Sequence, residues 1–387
     1  MKELFITFVT AVLLSGAASF SPYAASAAQP PEVSAKAAVV ISADTGEIVY
    51  SVNCNEKLPM ASTTKIMTTL LCLESGDLDE EFTVDSEAIK VEGSSMGLQE
   101  GDIVTKYALC CGMLLPSGND AANAAAVRIS GSIEAFAELM NDRARELGLS
   151  HTYFVTPSGL EGEGHGSSAY DMALLAREAL KNETFREICS SETIKLSFGN
   201  PPYERWLKNT NKLLSMYDGV YGVKTGFTDE AGRCLVSACE RGGEDLICVT
   251  LNDRNDWNDH ISMYDYGFEA VRLIQPELPA DMSVDVVGGE TESAALTVGD
   301  GDLSVTAFAA DSSDLQCTVI SSPFVYAPVS QGDELAQLEI SLNGREICRV
   351  PLYAAESVPV KVHEAAEPQK EKSIFNKFIT KLGSLFS

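Results

Sequence analysis

Apolar and polar positions alternate through residues 37–51 on both sides of Asp44-Thr45-Gly46, which predicts a two-stranded hairpin. The period then lengthens, and Ile66, Met67, Leu70, Leu71 and Leu73 recur at helical spacing behind Met60-Ala61-Ser62-Thr63. Residues 86–102 are loop-rich, and helical spacing returns over 106–115, 132–147 (closed by Gly148) and 168–181. Strand-like runs resume at 221–225, 233–240 and 245–251, the last two joined by Arg241-Gly242-Gly243. Strands at both ends with helices between them imply an α+β fold, an antiparallel sheet flanked by helices together with a helical cluster. From about residue 276 only short alternating runs remain, over 284–352, as expected of a small all-β domain.

The chain ends carry other patterns. Lys2 precedes an apolar run over 4–18 and small residues at Ala25-Ser26-Ala27-Ala28, the layout of a cleaved secretory signal; the run falls short of the roughly 20 residues that span a membrane. At the other end a Pro/Ala/Glu-rich linker leads into 370–387, where Ile374, Phe375, Phe378, Ile379, Leu382, Leu385 and Phe386 recur at helical spacing opposite Lys372, Lys377 and Lys381. A basic amphipathic helix lying in a membrane interface fits this pattern, with docking on the protein's own surface as the other reading.

The formal charge of -28 argues against a nucleic-acid partner, and 45% hydrophobic residues suffice for a sizeable core in two or three domains. Ten cysteines in an exported chain would suggest disulfides, yet they sit inside apolar patterns such as Leu109-Cys110-Cys111-Gly112-Met113, where a buried small hydrophobe serves equally well, so mostly free, buried thiols are expected. Cys317 with Cys348 is the pairing to test first. Four histidines without paired-ligand spacing give no expectation of a metal or other cofactor.

The chemistry begins at Ser62-Thr63-Thr64-Lys65. Three residues apart on a helix, the Ser62 hydroxyl and the Lys65 amine can reach each other, a nucleophile beside its base. The lysine must then be neutral part of the time, which calls for burial or a second cation close by. Alone, the tetrad fits equally an ordinary helix start with Ser62 as cap. Two further stretches shift that balance: Ser117-Gly118-Asn119 between two helical segments, and Lys224-Thr225-Gly226 at the end of a strand beginning near Val220. Together, in this order, they form the Ser-x-x-Lys, Ser-x-Asn and Lys-Thr-Gly set of penicillin-recognising serine acyl transferases.

The longer stretches Leu115-Pro116-Ser117-Gly118-Asn119-Asp120, Gly164-His165-Gly166-Ser167-Ser168 and Gly222-Val223-Lys224-Thr225-Gly226-Phe227-Thr228 resemble the serine-type D-alanyl-D-alanine carboxypeptidases, the low-molecular-mass penicillin-binding proteins. That resemblance implies a penicillin-binding, β-lactamase-like transpeptidase domain acting on peptidoglycan stem peptides that end in D-Ala-D-Ala, with β-lactams as inhibitors. It implies Ser62 as nucleophile, Lys65 as its base and Ser117 as proton relay. Asn119 would orient Lys65 and the substrate amide, and Lys224 would help hold the nearby lysine neutral. The Ser62 and Phe227 N–H groups would hold the oxyanion, while Lys224 and Thr225 of the Lys224-Thr225-Gly226 triplet grip the terminal carboxylate, with Arg254 a weaker addition. The expected division is a signal at 1–28, the catalytic domain at 29–275, the β domain at 276–363 and a linker with membrane-anchoring helix at 364–387, placing the enzyme on the outer face of the cytoplasmic membrane. A β-lactamase would share the motifs, but no matching deacylating glutamate lies between Ser117 and Lys224; a wall-binding protein without activity is the other alternative. His165 reads as holding its loop, Trp206 and Trp257 as partly buried packing, with lining of a groove for glycan or peptide as the other reading, and Glu100-Gly101-Asp102 as a solvated turn.

Overall fold

The computed structural model describes residues 29–362 except 300, 302 and 309–311, so the expected signal and the amphipathic carboxy-terminal segment lie outside the described residues. In chain order the first part comprises β1 (Ala37–Ser42), β2 (Ile48–Val52), α1 (Lys65–Glu74), β3 (Phe82–Thr83), β4 (Ile103–Val104), α2 (Lys106–Leu114), α3 (Asn119–Ser130), α4 (Ile133–Glu146), α5 (Ala169–Ala179), α6 (Glu183–Ser190), β5 (Thr193–Gly199), β6 (Pro202–Lys208), α7 (Leu213–Met216), β7 (Val220–Thr228), β8 (Gly232–Arg241), β9 (Glu244–Asp253) and α8 (Asp256–Ala270).

Five strands form an antiparallel sheet in the order β2-β1-β9-β8-β7. All six residues of β1 are buried because the strand is covered on both faces. Ala37, Val39 and Ile41 face a core shared with α1, α2, α3 and α5, whereas Ala38 and Val40 pack with Met263 and Tyr264 of α8. Local polar residues start the helices: the side chains of Thr105, Ser132 and Ser168 accept from the N–H of Ala108, Ala135 and Asp171, each at 3.1 Å. This architecture leaves β7 as a free edge beside α1 and the α2–α3 connection.

The second part holds β10 (Arg272–Ile274), β11 (Ser283–Val287), β12 (Ser293–Val298), β13 (Val305–Ala307), β14 (Leu315–Ser321), β15 (Val325–Tyr326), β16 (Glu334–Leu342) and β17 (Arg345–Ala354). Six of these strands form a sheet in the order β14-β16-β17-β12-β11-β15, and β10 pairs with β13. Alternation sets its core, with Ala294, Leu338, Ile340 and Leu352 inside. It meets the first part through Thr306, whose N–H donates to Asp44 Oδ2 at 2.7 Å and whose carbonyl accepts from Ser42 Oγ at 2.7 Å.

Several expectations need correction. The Lys224-Thr225-Gly226 strand does not end at the motif; it runs on to Thr228. The hairpin β5–β6 and helices α6 and α8 had no counterpart in the pattern reading. In α8 the core-facing positions include His260, Tyr264 and Gly267, which blur an apolar period. Asp102 is not solvated, since Arg205 pairs with it at 3.1 Å in a buried position. The cysteines need no such correction, since all ten are free thiols, in keeping with the expectation of mostly free ones. Cys317 and Cys348 lie across Ile340 on opposite sides of β16. Two strand spacings, about 10 Å, exceed the reach of a disulfide.

Candidate active site

Chain direction reverses sharply ahead of Ser62. Ala61 adopts a left-handed φ of 48°, and a single 3-10 turn, Ala61–Thr64, leads into α1. Backbone of this kind is costly for a residue with a Cβ and persists where its surroundings hold it. Here β7 crosses so closely that a Cβ on Gly226 would lie 3.0 Å from the Ser62 nitrogen, and one on Gly159 would lie 2.0 Å from the Ala61 carbonyl oxygen. Glycine at both positions lets two segments press against the nucleophile turn.

Lys65, the first residue of α1, is fully buried, and its Nζ lies 2.9 Å from Ser62 Oγ, 2.7 Å from Asn119 Oδ1 and 2.6 Å from the Ser158 carbonyl. Burial holds its amine well below the ordinary lysine range, the Lys224 cation pushes it down further, and Asp120 acts in the opposite direction. Lys224 on β7 is also buried and donates to Ser117 Oγ at 3.0 Å and to the Thr225 carbonyl at 2.8 Å. Burial lowers its pKa to about 7.

Ser117 sits in the left-handed region, φ 66°, between α2 and α3. A surface loop pins that turn. Asn119 donates through its backbone to Ser94 O at 2.7 Å and through Nδ2 to Glu92 O at 2.6 Å. The buried Asp120 carboxylate accepts from Ser95 Oγ and from the N–H groups of Met96, Gly97 and Leu98, at 2.6, 2.9, 3.0 and 3.0 Å. Sequence reasoning assigned Asp120 no part.

These groups border a cleft of about 820 Å³. Ser62, Ser117, Thr225, Gly226 and Phe227 line it, while Lys65, Asn119 and Lys224 are buried behind it. Thr225 Oγ1 meets Thr210 Oγ1 at 2.7 Å. The proposed carboxylate contact Arg254 is exposed and lies outside the lining, where Arg233 stands instead, bound through two nitrogens to Asp256 at 2.9 and 2.8 Å. Asp256 is the only carboxylate among the lining residues. Trp206 and Trp257 both border the cleft; Trp206 is 69% exposed rather than packed, while Trp257 is half-buried beneath the Arg233 guanidinium.

His165 stands behind the nucleophile turn. Its Nε2 lies 3.0 Å from Thr64 Oγ1 and its Nδ1 accepts from Val155 N–H at 2.9 Å, with burial lowering its pKa to about 4. A neutral ring joining two segments is a brace. No group of three His, Cys, Asp or Glu side chains able to hold a metal occurs among the described residues.

Comparisons with known proteins identify the family. The family described as D-alanyl-D-alanine carboxypeptidase matches residues 24–255, and the penicillin-binding protein 5 carboxy-terminal domain matches 268–360. The D-alanyl-D-alanine carboxypeptidase DacF of Bacillus subtilis is 34% identical over 373 residues, which cover 92% of this chain and 95% of that protein. Among solved structures, the Streptomyces K15 DD-transpeptidase superposes with a TM-score of 0.60 at 31% identity, covering 62% of this chain and 99% of the other. The D-alanyl-D-alanine carboxypeptidase DacD from Francisella tularensis gives 0.61 at 26%, over 87% of this chain and 96% of that one. With the matched family spanning more than half of its length and a relative aligned nearly end to end, this chain belongs to the D-alanyl-D-alanine carboxypeptidase family.

Proposed function

We propose that the protein removes the terminal D-alanine from peptidoglycan stem peptides through an acyl-enzyme on Ser62. The observation that carries the reading is the convergence of two buried lysines on two serines at one cleft, Lys65 on Ser62 at 2.9 Å and Lys224 on Ser117 at 3.0 Å. A neutral Lys65 has two N–H bonds; Asn119 Oδ1 and the Ser158 carbonyl occupy them, which leaves the lone pair for the Ser62 hydroxyl. Ser62 Oγ attacks the carbonyl carbon of the penultimate D-alanine and its proton passes to Lys65. The oxyanion rests on the N–H groups of Ser62 and Phe227. Collapse breaks the peptide C–N bond, Ser117 passes a proton to the departing amine, and D-alanine leaves with its carboxylate at Thr225 and Lys224. Water then cleaves the ester and regenerates Ser62.

A β-lactam enters the same path: its amide C–N bond opens and the acyl group stays on Ser62 as an ester. Among the described residues Asp256 is the one carboxylate lining the cleft and it is committed to Arg233, so none of them offers a free carboxylate to activate water, and slow release of the drug fits better than antibiotic hydrolysis.

The same reading divides the chain into a signal at 1–28, a catalytic domain at 29–275, a β domain at 276–363 and a linker with amphipathic helix at 364–387 that binds anionic lipid on the outer face of the cytoplasmic membrane. The deciding experiment assays D-alanine release from a D-Ala-D-Ala pentapeptide by wild type and Ser62→Ala. Release by wild type and none by the variant supports the reading, and equal release from both contradicts it. Co-flotation with anionic vesicles that is lost on truncation after Gln369 tests the anchor.

A further inference from the structure

The cleft is cationic in a chain of formal charge -28. Of the cationic side chains around it, Lys65 and Lys224 are buried with lowered pKa values, and Arg233 is matched by Asp256. Two remain. Lys208, the last residue of β6, and Lys212, just ahead of α7, are exposed, line the cleft, and have no ion-pair partner among the described residues.

Their backbone is held in place from below. Asn209 Nδ2 donates to the carbonyls of Cys189 and Ser191 at 3.0 and 3.1 Å, and Asn211 Nδ2 donates to Gly222 O at 2.9 Å. Between them Thr210 meets Thr225 on the triplet strand at 2.7 Å. The two ammonium groups are therefore carried at the ends of a fixed segment that touches the proposed carboxylate-gripping residue. The leaving D-alanine offers a single carboxylate, already provided for by Thr225 and Lys224. A peptide stem contributes more of them upstream of the scissile bond when its acidic groups are free rather than amidated.

Building on the proposed function, we infer that Lys208 and Lys212 make the site selective for anionic stem peptides, those whose upstream side-chain carboxylates are free. The pair acts by charge on bound and approaching substrate, so the preference weakens as salt screens it.

The test uses two D-Ala-D-Ala pentapeptides that differ only at the third residue, a diamino acid whose side-chain carboxyl is free in one and amidated in the other. The purified full-length protein releases D-alanine from the free acid with a kcat/KM about tenfold higher at low salt, an advantage of the size expected for two partly exposed charges. In the Lys208→Gln/Lys212→Gln double variant the ratio between the two peptides falls towards one, and Lys212→Glu turns it in favour of the amide. Equal rates on both peptides with wild type, or an undiminished ratio in the double variant, overturn the inference while leaving the carboxypeptidase reading intact. Absence of release from either peptide overturns that reading and this inference with it.

Discussion

The two cores of this chain are built on different terms. In the catalytic domain the interior holds Lys65, Lys224, Asp120, Asp171 and His260, each at most 2% exposed. In the β domain the described residues bury no charged side chain, and Thr306 and Ser341 are its buried polar residues. Burying an amine costs several kcal/mol unless hydrogen bonds replace its hydration, and the first core supplies them to Lys65 and Lys224. The second core needs only alternation. The contrast places the chemistry where the fold departs from the interior that hydrophobic burial alone would select.

The contrast can be tested at decreasing scale. Lys65→Met removes the proposed base while filling its space, and D-alanine release should fall about a thousandfold with folding retained by circular dichroism. A rate within tenfold of wild type would move the base elsewhere. Lys224→Gln removes the cation that presses the Lys65 pKa down, so Lys65 holds its proton to higher pH and the acid limb of β-lactam acylation should move to higher pH. A limb that stays or moves down would uncouple the lysines.

Acid should unfold the first core before the second. His165 and His260 have folded pKa values of about 4 and about 3, below the unfolded value near 6.5, so the unfolded chain binds protons first. Their contribution is complete above that value and is lost as pH falls through it towards 3, roughly a few kcal/mol. Asp245, raised to about 7 by burial, works in the opposite direction, as do Glu244 and Asp253, also raised by burial, and together they offset part of this loss. Calorimetry from pH 7 to 4 should show the transition of the catalytic domain moving down more than that of the β domain; parallel movement would contradict this.

Leu338→Ala in the β domain should cost about 3 kcal/mol by urea unfolding with D-alanine release unchanged at 25 °C. A parallel loss of activity would tie the second core to catalysis. At the surface, Lys36→Ala breaks an exposed pair with Glu56 and should shift the melting temperature by no more than about 1 °C.

What the sequence revealed follows the same divide. Ser62 and Lys65 were legible because three residues of helical chain bring them together, and the β domain because its alternation is unbroken. Arg233, Lys208 and Lys212 were not, since only the fold carries them to Ser62 from distant strands and loops. Asp120 was hidden for the same reason: its partners are backbone N–H groups of Met96, Gly97 and Leu98, and backbone leaves no mark on side-chain pattern. Asp102 was misread as solvated because its partner Arg205 arrives 103 residues later.

The central claim is that Ser62 carries the acyl group. Incubating the purified protein with a β-lactam, reading the intact mass and mapping the adduct by peptide fragmentation addresses it directly. The account predicts one equivalent added on the peptide containing Ser62, and none in Ser62→Ala. An adduct on Ser117 or any other residue, or no adduct on folded protein that still releases D-alanine, would contradict it.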